Sequence, residues 1–429
     1  MLDRKEVPQF HPVREIPLKT PEKTELSNGL PVYCINAGTQ EVLKIEVWSK
    51  TGSASSYRNS VANACSKLMN EGTATRSAED IANGFEHYGS HLETHCDKEN
   101  MQVSLFTLSR FLDPSFDIFQ DIILNASYPD NEVATYATKG KQQILESLEK
   151  VGTLASHEFT RHLFGTDHKF GQITQPEDLD LLTHDELTDY HQNRFVPNIL
   201  RIVCSGMLPN DIIDKLEKAF GGIRYGRTTS ETTEFPRGIS TPNITIEKDS
   251  AVQNAIRIGR PLFNRQHPDF AGMMVLSMVL GGYFGSRLMT NVREDKGYTY
   301  GIGSSIQTFD HGGYLAISTE VGSDVTKDAL KEIYFEIERL GTEPVSDNEL
   351  GLVKNFMMGV QLKSVDGPFN LATKWNGLIN FGMDQADFNA FINKMLGVDS
   401  KEIMRLAKKY MQLEMLITVV AGRSEQPNA

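Results

Sequence analysis

The chain repeats itself, and this limits the folds open to it more than any local pattern does. Glu186-Leu187 followed by the strand-like Ile199–Gly206 segment (ILRIVCSG) recurs as Glu402-Ile403 followed by residues 415–422 (MLITVVAG), both 216 positions later. Asp130-Asn131-Glu132, at the start of a helical stretch, recurs 217 positions later as Asp347-Asn348-Glu349. Ordered matches at nearly one offset, each in the same local context, indicate a duplicated unit. A length of 429 residues alone would suggest about three domains; the repeat overrides that prior.

Each copy has the same coarse order. Strand pairs come first, with period-two alternation at Met101/Val103/Leu105 and Ile256/Ile258 that sets apolar side chains on one sheet face. Helices follow. Asp113-Pro114 reads as a cap with Pro at the first helical position, and Phe116, Phe119, Ile122 and Ile123 form one stripe, as do Ala329, Ile333, Ile337 and Leu340 in the second copy. The expected class is α+β, with two homologous halves, 1–225 and 244–429, each of antiparallel sheets with helices packed on one face. The polar segment 226–243, with Arg227, Pro236 and Pro242, is the expected linker and hinge.

A formal net charge of −13 argues against nucleic acid or an anionic membrane surface as partner, because both are bound largely through Lys and Arg. The longest strongly apolar stretch, 273–280, is interrupted by Ser277 and is far short of the roughly 20 residues a spanning helix needs. The first thirty residues carry no apolar core of a secretory signal. Cys34, Cys65, Cys96 and Cys204 are scattered without a Cys-x-x-Cys pair. The expectation is a cytoplasmic chain with free thiols, unless a leader has been trimmed.

Residues 60–72 (SVANACSKLMNEG) form a helix whose buried face is Val61, Ala64, Cys65 and Leu68, with Gly72 as its stop. Asn63, Ser66 and Lys67 fall on a different face. In the next helix Ser77 and Asp80 form a capping box, Ile81, Phe85 and Tyr88 face inward, and Gly89 ends the run.

The run Asn70-Glu71-Gly72-Thr73 with Arg76-Ser77 resembles the amino-terminal half of pitrilysin-like (insulinase-type) zinc peptidases, the group that includes the mitochondrial processing peptidase. Leu163-Phe164-Gly165-x-x-His168-x-Phe170-Gly171, Leu280-Gly281-Gly282 with Ser286-Arg287-Leu288, and Arg293-Glu294-x-x-Gly297-x-x-Tyr300 resemble its other signatures, in order and over most of the chain. The resemblance implies four α+β units in two halves that close as a clam shell. It also implies that the helix before Gly72-Thr73 occupies the place of an inverted zinc motif, His-x-x-Glu-His, whose two imidazoles bind the ion while the Glu activates water. In this chain those places hold Asn63, Ser66 and Lys67. The third ligand, a Glu in the family, falls at Ser147, with Glu146 beside it. An amide, a hydroxyl and an ammonium do not make a zinc site.

The second-half pair is retained. The resemblance implies that Arg293 and Tyr300 bind substrate backbone and stabilise an oxyanion, a role suited to strong donors in a water-poor cavity. The bland alternative, Arg293 paired with Glu294 and Tyr300 packed on a sheet, is outweighed by Gly297 and the Leu-Gly-Gly run in their expected context. Heterodimeric members divide labour, one subunit carrying zinc and the other the Arg/Tyr pair. The expected function is therefore a substrate-binding, non-zinc subunit, inactive alone and without a cofactor of its own. Its partner would be a homologous zinc-bearing subunit, its cargo a peptide, with a homodimer the open alternative in isolation. The competing expectation is a peptidase-fold scaffold with no proteolytic role. A relocated metal site at His87, His91 and His95 beside Cys96 is disfavoured because Gly89 splits the three between a helix and a strand. His157-Glu158-x-x-x-His162 carries one residue too many for His-Glu-x-x-His.

Overall fold

The computed structural model describes residues 13, 15–56, 58–225, 235 and 243–423. In the first half, strands β1 (Glu22–Glu25), β2 (Pro31–Asn36) and β3 (Val42–Ser49) lead into helices α1 (Asn59–Leu68) and α2 (Ala78–Tyr88). The hairpin β4 (His91–Cys96) and β5 (Met101–Leu108) follows, then α3 (Leu112–Asn125), α4 (Asp130–Leu148), α5 (Val151–Phe164), α6 (Pro176–Asp180), α7 (His184–Tyr190), β6 (Ile199–Gly206) and α8 (Ile212–Phe220). The second half runs β7 (Asn243–Glu247), β8 (Gln253–Leu262), α9 (Phe270–Ser277), β9 (Ile302–Phe309), β10 (Gly312–Gly322), α10 (Thr326–Thr342), α11 (Asp347–Lys363), α12 (Pro368–Ile379), α13 (Gln385–Gly397), α14 (Ser400–Tyr410) and β11 (Ile417–Gly422). The expected linker 226–243 lies outside the described residues except for Phe235 and Asn243.

The duplication is visible in the sheets. Their strand orders are β1-β2-β6-β3-β5-β4 and β7-β11-β8-β10-β9, and apart from the edge strand β1 they are the same order. Both are antiparallel except for one pair in each, β2 with β6 and β7 with β11. Those pairs are parallel because β6 and β11 return to their sheets only after the chain has crossed the helical layer, which a tight hairpin cannot do. Along β3, Leu43, Ile45 and Val47 are fully buried against the helices of their own half, while Lys44, Glu46 and Trp48 point to the opposite face.

That opposite face is covered by the other half. α5 packs on β8 and β11, and its repeat counterpart α12, 217 positions later, packs on β6 and β2. Ala155, Phe159 and Leu163 of α5 join Ala255, Ile417 and Val419 in one cluster. The two halves therefore exchange a helix reciprocally, and each sheet is covered in part on its second face by a helix its own half does not supply. The Leu163-to-Gly171 signature closes this joint. Phe170 meets Phe309 at a ring-centroid distance of 4.7 Å and Phe164 meets Tyr314 at 5.9 Å. A side chain at Gly171 would put its Cβ 1.9 Å from the Gly165 carbonyl oxygen, so only glycine fits.

Local signals are reproduced except at two helix ends, one of them that of α1, which stops at Leu68, ahead of the expected stop at Gly72. Ser77 and Asp80 form the capping box of α2, and Gly89 ends it with φ of 61°. α3, however, begins at Leu112, with Asp113 inside its first turn rather than capping it. The Asp113 carboxylate instead pairs with Lys215 at 2.6 Å, and α3 starts without a side-chain cap.

Candidate functional site

α1 is held from behind by a directed chain of hydrogen bonds. His191 Nε2 lies 2.9 Å from the Ile123 carbonyl, which can only accept, so Nε2 carries the proton and Nδ1 accepts from the Tyr128 hydroxyl at 2.7 Å. Tyr128 in turn accepts from the thiol of Cys65 on α1 at 3.0 Å. Burial pushes the His191 imidazole down to about 4 and the Cys65 thiol up to about 12, so both are neutral in the folded chain. The buried face of α1 is thus fixed, and its other face is fixed with it.

That other face borders a cavity of about 400 Å³ between α1, α4 and β4. Asn63, Ser66 and Lys67 of α1 and Ser147 of α4 line it together, as do His95 and Cys96 of β4. Glu146 does not; it points to solvent, and its carboxylate accepts from Gln142 at 2.8 Å. Asn63 donates to the Asn59 carbonyl at 3.0 Å and Ser147 to the Ile144 carbonyl at 2.8 Å. Ser66 is 1% exposed, and its hydroxyl has no partner among the described residues. Lys67 is exposed and forms no ion pair with them. No Asp or Glu is among the described residues lining the cavity.

This donor set does not fit zinc. The wall offers no carboxylate and a single imidazole, and burial, reinforced by the charge of Asp97, pushes the Cys96 thiol up to about 12, which keeps it protonated. Among the described residues, no group of three or more His, Cys, Asp or Glu is placed to hold a metal ion. His87 lies near the end of α2 against the Tyr88 ring, while His91 and His95 lie on β4, where His91 faces Glu93 at 3.5 Å. In the longer-spaced pair, His162 binds Glu158 within α5 at 2.9 Å. Sequence reasoning named His95 and Cys96 only as part of a rejected cluster; that β4 packs beside α1 is a tertiary fact with no local signal.

Arg293 and Tyr300 sit elsewhere in the fold, and neither lines this cavity. Arg293 lies on a wide helical turn, Met289–Asp295, and Gly297 reverses the chain after it with φ of 68°. Arg293 Nε donates to the Tyr300 carbonyl at 3.0 Å, and the guanidinium lies over the Phe284 ring at 4.6 Å. Its contact with Glu294 is long, at 3.7 Å. The Tyr300 side chain is 93% exposed and packs on no sheet. The Leu280-Gly281-Gly282 run behind them is a close-packing device, since a Cβ on Gly281 would lie 2.7 Å from the Ser304 amide nitrogen of β9. None of the described helices is long and apolar enough to cross a membrane.

Two α+β halves that share one strand order and exchange a helix define the fold. Residues 32–176 match the family model described as Insulinase (Peptidase family M16), and residues 181–357 match the one described as Peptidase M16 inactive domain. The chain belongs to this family. It is 23% identical over 416 residues to an uncharacterized zinc protease, YmxG, of Bacillus subtilis, covering 94% of this chain and 98% of that protein. It is 20% identical over 422 residues to a probable mitochondrial-processing peptidase subunit beta of Arabidopsis thaliana, covering 92% and 77%. A peptidase M16 inactive domain from Pseudomonas fluorescens has the same fold, with a TM-score of 0.86, 20% identity and coverage of 95% and 100%. A protease from Helicobacter pylori also does, with a TM-score of 0.85, 15% identity and coverage of 94% and 100%.

Proposed function

We propose that this chain is the substrate-binding, non-zinc subunit of an M16-type endopeptidase, and that it supplies Arg293 and Tyr300 to the active site of a homologous zinc-bearing partner. The observation that carries this reading is the α1 face. Where the resemblance puts the family's zinc ligands, Asn63, Ser66 and Lys67 line a cavity with no carboxylate among its described residues, so this wall offers no means of activating a water through a metal. The retained pair is consistent with a shared site, because Tyr300 is presented outward on a turn braced by Arg293 rather than consumed in packing. A guanidinium and a phenol aimed at a developing oxyanion are each worth about a hundredfold in turnover.

The test is reconstitution. The chain alone should hydrolyse no peptide and carry no stoichiometric zinc. Mixed with a homologue that has His-x-x-Glu-His intact, it should form a complex in which Arg293→Ala or Tyr300→Phe lowers turnover about a hundredfold. Full activity of the complex with both residues replaced overturns the reading. Capture of this chain with an unrelated assembly, and not with a zinc-bearing homologue, would favour a scaffold role.

A further inference from the structure

The α1 cavity is more than a metal site that has lost its ligands, because its electrostatic sign is reversed. A pocket that holds a dication is lined by carboxylates and neutral imidazoles. This one presents the ammonium of Lys67, the hydroxyls of Ser66 and Ser147 and the amides of Asn63 and Gln143, with His95 also among its lining residues and no acid among those described. The chain as a whole carries 56 Asp and Glu against 43 Lys and Arg, so an acid-free wall with an unpaired lysine runs against its composition.

Two features leave donors on the wall free for a ligand. Lys67 has no counter-ion among the described residues, whereas Lys141, on the neighbouring helix α4, is neutralised by Asp180 at 2.7 Å. The Ser66 hydroxyl is 1% exposed and unpartnered, as is that of Ser60, at 2% exposure on the same wall. A buried hydroxyl left without a partner is costly, and natural chains rarely keep one unless a ligand or water completes it. Lys67 also lies in the last turn of α1, where a cation meets the partial negative charge of the helix end. That contact explains a lysine there; it does not explain the missing acids or the unpaired serines.

We infer that this cavity is a carboxylate-binding subsite for the peptide, with the Lys67 ammonium and the Ser66 hydroxyl donating to the anion. The inference rests on the peptide-binding reading above and names its substrate class: a peptide with an acidic side chain, or a C-terminal carboxylate, held where a catalytic subunit would hold its metal. The net charge of −13 repels anions at long range, so the selectivity comes from the cavity wall.

The test uses the full chain alone and three short fluorescent peptides of one backbone sequence. One has an internal Glu and an amidated C-terminus, one has no acid but a free C-terminal carboxylate, and one has neither. At least one of the first two should bind about tenfold or more tighter than the third, and which one does so identifies the source of the carboxylate. Lys67→Gln should bring that ratio to about one. Ser66→Ala should weaken the preferred carboxylate-bearing peptide while leaving the melting temperature unchanged or higher, an outcome a merely structural hydroxyl would not give. Equal affinity for all three peptides, no binding of any, or a preference that survives Lys67→Gln overturns the subsite. The reconstitution assay on Arg293 and Tyr300 does not involve Lys67 and judges the subunit reading separately.

Discussion

Arg201 on β6 donates from Nε to the Oδ1 of Asn376 on α12 at 2.9 Å, joining the first half's sheet to the helix lent by the second half. Asn380, one turn further along the chain, accepts from the same guanidinium at 2.5 Å, and the Trp48 ring lies 5.0 Å away. Burial brings this arginine down to about 10, partly offset by Glu46 and other nearby groups. Asn376→Ala would remove one acceptor from a buried cation and should cost about 1–3 kcal/mol of stability in urea denaturation. Because each half completes the other's sheet, the loss should move a single cooperative transition. Two separate transitions, with only one of them shifted, would mean that the helix exchange does not couple the halves.

At the other edge of the joint, the Asp310 backbone N–H, in the turn after β9, donates to both oxygens of Glu99, in the turn after β4, at 3.0 and 3.2 Å, and Lys50 pairs with Asp310 at 2.5 Å. Burial raises Glu99 to about 7, opposed by Lys50 and reinforced by Asp310. The folded chain thus holds this proton more tightly than the unfolded chain, whose Glu titrates near 4.5. The resulting stability is present in full below about pH 4.5 and is lost as pH rises through about 7. Glu99→Gln should flatten that limb and raise stability at pH 8 by about 1–3 kcal/mol. An unchanged pH profile in the variant would remove Glu99 as its cause.

His191 works in the opposite direction. Its folded value of about 4 lies below the ordinary 6.5, so the unfolded chain takes up a proton that the native chain refuses. Stability is therefore lost as pH falls from about 6.5 towards 4, and protonating Nδ1 would also reverse its bond from Tyr128 and unsettle the thiol of Cys65 behind the cavity. NMR of the imidazole should show His191 neutral in the native protein at pH 5, with protonation appearing only as α1 loosens. A resonance titrating near 6.5 in the folded state would contradict a neutral, buried imidazole.

The repeat, the α+β class and the helix boundaries at Ser77 and Gly89 were legible because each depends on short-range patterns: self-similarity, periodicity, and a cap followed by a residue that tolerates positive φ. The helix exchange was not. α5 and α12 have ordinary amphipathic sequences, and nothing local says which sheet an apolar stripe will meet. Asp113 was misread as a cap because a cap and a first-turn acid look alike in sequence; the pairing with Lys215, a hundred residues away, decides between them. At the site, the positions of Asn63, Ser66, Lys67 and Ser147 came from a motif register. The presence of His95 and Cys96 on the same wall depends on how β4 packs against α1.

The register itself can be tested by rebuilding the missing site. If α1 and α4 meet around the cavity as described, Asn63→His, Ser66→Glu, Lys67→His and Ser147→Glu together set two imidazoles one turn apart on α1 and a carboxylate opposite them on α4. The wall already tolerates polar groups, and the substitutions remove the ammonium that repels a dication. The fourfold variant should bind about one zinc per chain by elemental analysis, the unaltered chain none. The same variant should lose the preference for carboxylate-bearing peptides, because Lys67 is gone and two carboxylates now line the cavity. A folded variant, by circular dichroism, that takes up no zinc would show that Ser147 does not face the α1 triad, and both the register and the shape of the cavity would then need to be redrawn.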